Sequence, residues 1–281
     1  MSFDLYNATS FKISNLITSN YSTSFGLAIK VFNNKLKDGI SAVYGYVRLA
    51  DEIVDSFHQF DKLSLLREFR HDTFKAISNK ISVNPVLHSF QATVNEYEIP
   101  LQYITDFLDS MEMDLSNSFY ERQHYDEYIY GSAEVVGLMC LKVFCGSDKR
   151  LFESLIIPAR ALGSAFQKVN FLRDIKSDLN ERGRIYLPGA SQPEMINLKN
   201  KELLEREIDK EFSLAFTGIK RLPNSSKLAV YSAYLYYLML FKKIKRMKVS
   251  DLLTKRVRIS NLIKLTLLFR SLVKVKLLKI L

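Results

Sequence analysis

The chain has 281 residues, 47% of them hydrophobic, with 40 Lys and Arg against 30 Asp and Glu and a formal net charge of +10. That is ample apolar material for a sizeable core, and with no Gly-, Ser- or Pro-rich linker the expectation is a single domain over 1–281 with a basic C-terminal segment at about 241–281. The charge does not point to nucleic acid: Phe241 to Leu281 holds 13 basic residues and one acid, Asp251, which leaves 27 basic and 29 acidic residues in a nearly neutral body.

In chain order, helical periodicity predicts helices over 39–57, 62–79, 84–97, 100–115, 122–145, 149–180, 200–222, 224–247 and 258–279. Breakers separate them at Asn84-Pro85, Pro100, Gly146-Ser147, Gly183, Pro188-Gly189 and Pro223. Pro158 falls inside one of these helices and predicts a kink or a true start there. No strand alternation competes, so the predicted class is all-α. Cys140 and Cys145 sit in an apolar stretch without CxxC spacing and read as reduced core residues, which fits a cytoplasmic protein. The first residues lack the layout of a signal peptide, and the longest apolar run, 228–241, is too short to span a bilayer. The basic C-terminal segment, rich in Leu, Ile and Val, suits peripheral contact with the anionic inner face of the cell membrane; its alternative is a solvated helix face. His58, His71, His88 and His124 share no ligand spacing and read as surface or capping residues. Tyr234, Tyr236 and Tyr237 read as core.

Two acidic motifs carry the chemistry. In Tyr44-Gly-Tyr-Val-Arg48-Leu-Ala-Asp51-Glu-Ile-Val-Asp55, residues 44, 48, 51 and 55 share one helical face, with both carboxylates pointing the same way. In Gln167-Lys-Val-Asn170-Phe-Leu-Arg173-Asp174-Ile-Lys-Ser-Asp178, residues 167, 170, 174 and 178 do the same. Both segments are apolar around much of their girth, so these carboxylates face an interior and need a compensating cation. All the donors are oxygen, which suits Mg²⁺, with Mn²⁺ as substitute, bridging Asp51, Asp55, Asn170, Asp174 and Asp178 to a substrate phosphate. An allylic diphosphate would ionise at such a site, and the carbocation would need a dry cavity lined by aromatic faces; the chain has 19 Phe and 15 Tyr. One pair of acids four apart is usually a solvated helix face; two copies in apolar helices favour a metal–diphosphate site.

At these residues the sequence resembles the squalene/phytoene synthase family, from about Tyr21 to Pro188. Tyr44, Arg48, Asp51 and Asp55 match its first aspartate-rich motif, and Gln167, Asn170, Arg173, Asp174 and Asp178 its second. Ser22-Thr-Ser24-Phe25 resembles its N-terminal S-x-S-F segment. Tyr128-Ile-Tyr130-Gly-Ser-Ala133-Glu-Val-Val136-Gly137 is similar to a further family stretch, and Arg182-Gly183-Arg184-Ile-Tyr186-Leu-Pro188 to its R-G-R-x-Y-x-P loop. The resemblance implies an isoprenoid-synthase type helical bundle around a central apolar cavity. It implies head-to-head condensation of two prenyl diphosphates through a cyclopropyl diphosphate, with Tyr44, Arg48 and the four aspartates catalytic. Ser24, Phe25, Tyr128, Gln167, Asn170, Arg173, Arg184 and Tyr186 are the implied substrate contacts. The stretches YGYVRLADEIVD and GSAFQKVNFLRD are most similar to carotenoid-type members, which act on geranylgeranyl diphosphate without NADPH. The alternatives are a squalene or dehydrosqualene synthase using farnesyl diphosphate and a non-catalytic relative acting as a scaffold; retention of all four aspartates argues against the scaffold. Two departures stand out. Glu134 replaces a usual Gly, adding volume and charge in the helix facing the cavity, and Lys168 replaces a usual apolar residue. No motif encodes chain length or oligomeric state.

Overall fold

The computed structural model describes residues 2–22, 29, 32–116, 121–187, 189–190, 192 and 195–277. Among them the chain is helical, with no extended strand: α1 (Phe3–Tyr21), α2 (Asn34–Asp55), α3 (Lys62–Asn79), α4 (Pro85–Glu96), α5 (Leu101–Ser116), α6 (Arg122–Ile129), α7 (Val135–Cys145), α8 (Lys149–Ser177), α9 (Leu198–Ile219), α10 (Asn224–Lys245), α11 (Val249–Thr254) and α12 (Asn261–Leu272). Wide π turns join α6 to α7 (Tyr130–Glu134) and extend α8 (Asp178–Arg182) and α12 (Val273–Leu277). Side-chain caps fix several starts. Asn33, Asp61, Asp148 and Asn197 each accept the backbone N–H three residues on, at 2.9–3.1 Å, and Asn84 caps α4 with Pro85 at the first helical position.

The predicted helices are all present, with ends shifted by a few residues, and Pro158 lies inside α8 without ending it. Gly218 on α9 leaves the space that the Pro158 ring fills. Helix α1 and the first turns of α2 are not among the predicted elements. The reason is chemical. The buried face of α1 is Ser10, Ser14 and Thr18, hydroxyls at helical spacing where an apolar stripe is the usual signal. Ser10 and Thr18 donate to carbonyls one turn back, at 2.9 Å each, and Ser14 bonds Ser89 of α4 at 2.7 Å. The small face permits close approach to α2: a Cβ on Gly45 would lie 3.0 Å from the Ser14 hydroxyl. His88 is buried and not at the surface; its Nδ1 accepts the Ser82 backbone N–H at 3.3 Å, and its ring packs on Phe3 and Tyr6 of α1.

Two apolar clusters form the interior. One gathers α2–α5 around Tyr46, which stacks on Phe90 at 3.7 Å between ring centroids; the other gathers α6 and α8–α10. Tyr103 and Phe144 pack against both. The continuous helical stretch Arg122–Cys145 is long and apolar enough to cross a membrane by length and composition, although half of its apolar window is buried within the bundle. Its inner side belongs to the two clusters, which is the burial expected of a core helix.

Gly45→Val overpacks the α1–α2 contact and is expected to cost about 1–3 kcal/mol. Ser14→Gly in the same chain should recover part of that loss. Urea melts of the two single variants and the double variant test the coupling.

Candidate active site

A cavity of about 790 Å³ lies between the two clusters. Along α8 its wall grades from apolar to polar: Leu155, Leu162 and Phe166, then Gln167, Asn170 and Arg173. Along α2 it grades the same way, from Ile40 through Tyr44 and Val47 to Arg48 and Asp51. Both polar stretches sit toward the C-terminal ends of their helices, and ion pairs bring those ends together. One guanidinium does most of this. Arg182 holds Asp55 of the first motif at 3.1 Å and Asp178 of the second at 2.6 Å. Gly183, in the left-handed region at φ +64°, ends the helix and reverses the chain. The Arg184 amide then bonds the Asp178 carbonyl at 2.9 Å, and the Arg184 guanidinium reaches Asp55 at 2.8 Å.

The sequence-predicted residues fall into two layers. Tyr44, Arg48, Asp51, Gln167, Asn170 and Arg173 line the cavity. The Tyr44 hydroxyl bonds the Ser22 side chain, and burial pushes it up to about 12. Arg48 pairs with Glu52, and its guanidinium lies over the Tyr21 ring at 4.4 Å. Asp174 is gripped by Arg173, at 2.5 Å, and by Arg256 from the segment before α12, at 2.7 Å. Burial favours the protonated form of Asp174, but the two arginines outweigh it and hold the carboxyl below the usual range. Burial, with Asp55 nearby, pushes Asp51 up to about 7. Burial does the same to Asp178, against the pull of Arg182. Tyr128, Arg184 and Tyr186 do not line the cavity; they stand one layer behind, because both tyrosine hydroxyls donate to a buried Asp114 at 2.8 Å and Arg184 lies 3.5 Å from it. The Tyr186 ring stacks on both Tyr128 and Phe171, and Tyr128 meets Phe171 at a tilt. Ser24 and Phe25 lie outside the described residues.

Four participants were not among the expected site residues. Asp114 stands in no motif; it is an ordinary acid in an amphipathic helix until the fold brings Tyr128 and Tyr186 to it. Arg256 is separated from Asp174 by 82 residues. Tyr236 and Tyr237, expected in the core, line the cavity beside Arg173 and Asn170. Glu134 does not line the cavity, although its neighbours Ala133 and Val136 do. It pairs with Arg160 at 2.6 Å, and Arg160 covers the Tyr130 ring. Lys168 is buried, but Glu207 and Glu211 of α9 neutralise it at 3.0 and 2.5 Å.

Two buried atoms at the polar end have no hydrogen-bond partner among the described residues: Arg48 Nε, a donor, and Asn170 Oδ1, an acceptor. A donor suits an anionic oxygen and an acceptor suits a cation, so the pair fits a metal-bound anion better than either ion alone. No three His, Cys, Asp or Glu among the described residues converge as a ready-made metal site. The carboxylates are shared out among arginines instead.

The chain belongs to the class of all-α bundles in which two aspartate-bearing helices meet at the polar end of an apolar cavity. The comparisons narrow the class. Residues 18–262 match the family model of squalene/phytoene synthase. The chain is 28% identical to the chloroplastic phytoene synthase of Narcissus pseudonarcissus over 85% of its own length and 60% of that protein's. It is 27% identical to the phytoene synthase of Arthrospira platensis, with 84% of each covered. The chain thus spans less than two thirds of the plant relative. Its fold matches a ligand-bound dehydrosqualene synthase with a TM-score of 0.81 at 23% identity, covering 98% of this chain and 99% of that one. A squalene synthase from Alicyclobacillus acidocaldarius gives 0.75 at 19%, covering 86% and 95%. The chain belongs to the squalene/phytoene synthase family.

Asp114→Ala removes the acceptor of two buried tyrosines and a partner of Arg184. The expected loss is about 3 kcal/mol or more, the range for breaking a buried pair. A urea midpoint lowered accordingly, with native circular dichroism before the transition, is the result to look for.

Proposed function

We propose that the protein condenses two molecules of geranylgeranyl diphosphate head-to-head to phytoene, through a cyclopropyl diphosphate and with release of diphosphate. The observation that carries the reading is the polar end of the cavity, where two aspartate motifs and their arginines face an otherwise apolar interior. The C20 choice rests on the likeness to phytoene synthases.

The residues divide the work by chemistry. Arg48, Arg173 and Arg256 line the cavity and offer planar forks to diphosphate oxygens. Gln167 and Asn170 orient the head group through their amides. Mg²⁺, bound with the substrate at Asp51, Asp55, Asn170, Asp174 and Asp178, would neutralise the departing diphosphate. Phe166, Leu162 and Val230 exclude water from the prenyl chains. Phe166 stacks on Tyr237 at 3.9 Å, an aromatic face at the junction of the apolar and polar walls where a carbocation would be held.

Product analysis tests this. Purified protein with Mg²⁺ is given C15 or C20 diphosphate, with and without NADPH. The expected product is phytoene from the C20 substrate, independent of NADPH. A C30 hydrocarbon from the C15 substrate alone would replace the phytoene assignment, and no pyrophosphate release from either would remove the enzymatic one. Asp51→Asn and Asp174→Asn should each stay folded and lose turnover by orders of magnitude.

We further propose that α12 rests on an anionic membrane, where substrate and product partition. Leu262, Leu265, Phe269 and Leu272 lie along one helical side and are 78%, 60%, 68% and 36% exposed. Lys264, Arg270 and Lys274 accompany them, and the start of the same helix, Asn261 and Lys264, lines the cavity. Flotation should show binding to vesicles containing anionic lipid and weaker binding to neutral ones. The double variant Leu265→Glu, Phe269→Glu should stay in solution; unchanged flotation would refute the surface.

A further inference from the structure

Three of the four motif aspartates are already satisfied by guanidinium groups. Arg182 spans Asp55 and Asp178. Arg184 adds to Asp55 at 2.8 Å. Arg173 and Arg256 converge on Asp174. Asp51 alone makes no ion pair among the described residues, although Arg48 and Arg182 are near enough to favour its charged form. A guanidinium and a divalent cation compete for the same carboxylate lone pairs. Mg²⁺ also gives up its water reluctantly and holds few protein ligands without a phosphate.

We propose that Arg182 and Arg256 act as place-holders for the metal, and that they transfer from carboxylate to diphosphate when substrate enters, so that the site accepts divalent cations only together with a diphosphate. This rests on the diphosphate reading above. Removing a guanidinium from a buried carboxylate is costly unless both partners are satisfied again. A cation arriving alone satisfies the carboxylate and strands the arginine. A diphosphate arriving alone satisfies the arginine and strands the carboxylate. Arriving together they exchange partners, and every charge is matched: the metal takes the carboxylates while the forks turn to phosphate oxygens. Arg256 is suited to this exchange. It lines the cavity, its side chain is about half exposed, and it sits on the short segment between α11 and α12, outside the helices that carry the motifs. Arg182 is suited because one side chain bridges both motifs, so its departure frees Asp178 and leaves Asp55 to Arg184 alone. The coupling is reciprocal: each ion raises the affinity for the other.

The test uses the whole chain and two bindings, neither of which requires turnover. Mn²⁺ alone is followed by electron paramagnetic resonance, and inorganic pyrophosphate by calorimetry with and without saturating Mg²⁺. For the unaltered protein, Mg²⁺ should tighten pyrophosphate about fivefold or more, the lower end of ordinary coupling. In Arg182→Gln, Mn²⁺ alone should bind more tightly, while pyrophosphate in saturating Mg²⁺ should bind more weakly. Opposite signs are the signature, because a merely structural arginine would weaken both. Arg256→Gln, at a more exposed position, repeats the measurement should Arg182→Gln fail to fold. Unchanged or weaker Mn²⁺ binding in a folded variant overturns the exchange, as does equal pyrophosphate affinity with and without Mg²⁺. Should the unaltered protein bind no pyrophosphate under either condition, the diphosphate reading itself falls and takes the exchange with it.

Discussion

A carboxylate cannot face an apolar interior without a cation beside it, and the arrangement of this molecule follows from how that requirement is met. Four motif aspartates sit where α2 and α8 converge, and Arg182 joins the two helices by holding one carboxylate from each. The reversal at Gly183 then brings Arg184 back to Asp55 and Tyr186 to Asp114. The loop that follows the second motif is therefore the clasp that closes the polar end of the cavity. Its sequence reads as a catalytic signature, yet much of its work is to fix the mutual position of two helices.

The cavity separates two tasks that conflict in one place. A reactive carbocation needs a dry wall, and a diphosphate needs charge. Grading each of two helices from apolar to polar along its length solves this without any element changing sides. The surrounding bundle keeps that gradient rigid. Tyr46, on α2 between Gly45 and Val47, is buried in a stack with Phe69 and Phe90, so α2 is anchored on one side while Tyr44 and Arg48 face the cavity on the other.

Most of the framework was legible because it follows periodicity. Residues 44, 48, 51 and 55 share a helical face whatever surrounds them, and so do 167, 170 and 174. The places where reading failed share a physical cause: the signal lay in a partner distant along the chain. Helix α1 shows its inner face as Ser10, Ser14 and Thr18, which look like a solvated surface until Gly45 and Ser89 are set against them. Asp114 resembles any exposed acid until two tyrosines, 14 and 72 residues away, donate to it. Arg256 lies in a basic stretch whose composition suggests a membrane, and only the fold shows that one of its members reaches Asp174. The consequence of Glu134 was not legible because its partner, Arg160, lies 26 residues on and meets it only in the fold.

Lys168 carries the same lesson in the other direction. Next to Gln167, a lysine looks misplaced in an apolar wall, and a lone buried ammonium would indeed be untenable. On a helix, adjacent residues point about 100° apart, so Gln167 can face the cavity while Lys168 faces α9. There it meets Glu207 and Glu211; Arg122 of α6 also holds Glu207, at 2.5 Å, and Ser164 donates to Glu211 at 2.8 Å. Burial raises the Glu211 carboxyl while Lys168 opposes that rise. The network ties α6, α8 and α9 behind the wall on which the second motif is mounted. A replacement by an apolar residue would need the two glutamates replaced with it, since removing one partner of a buried pair leaves the others uncompensated. The departure at one position is thus a concerted change at several, and it fixes the helix that carries Asn170 and Arg173 without touching the cavity those residues line.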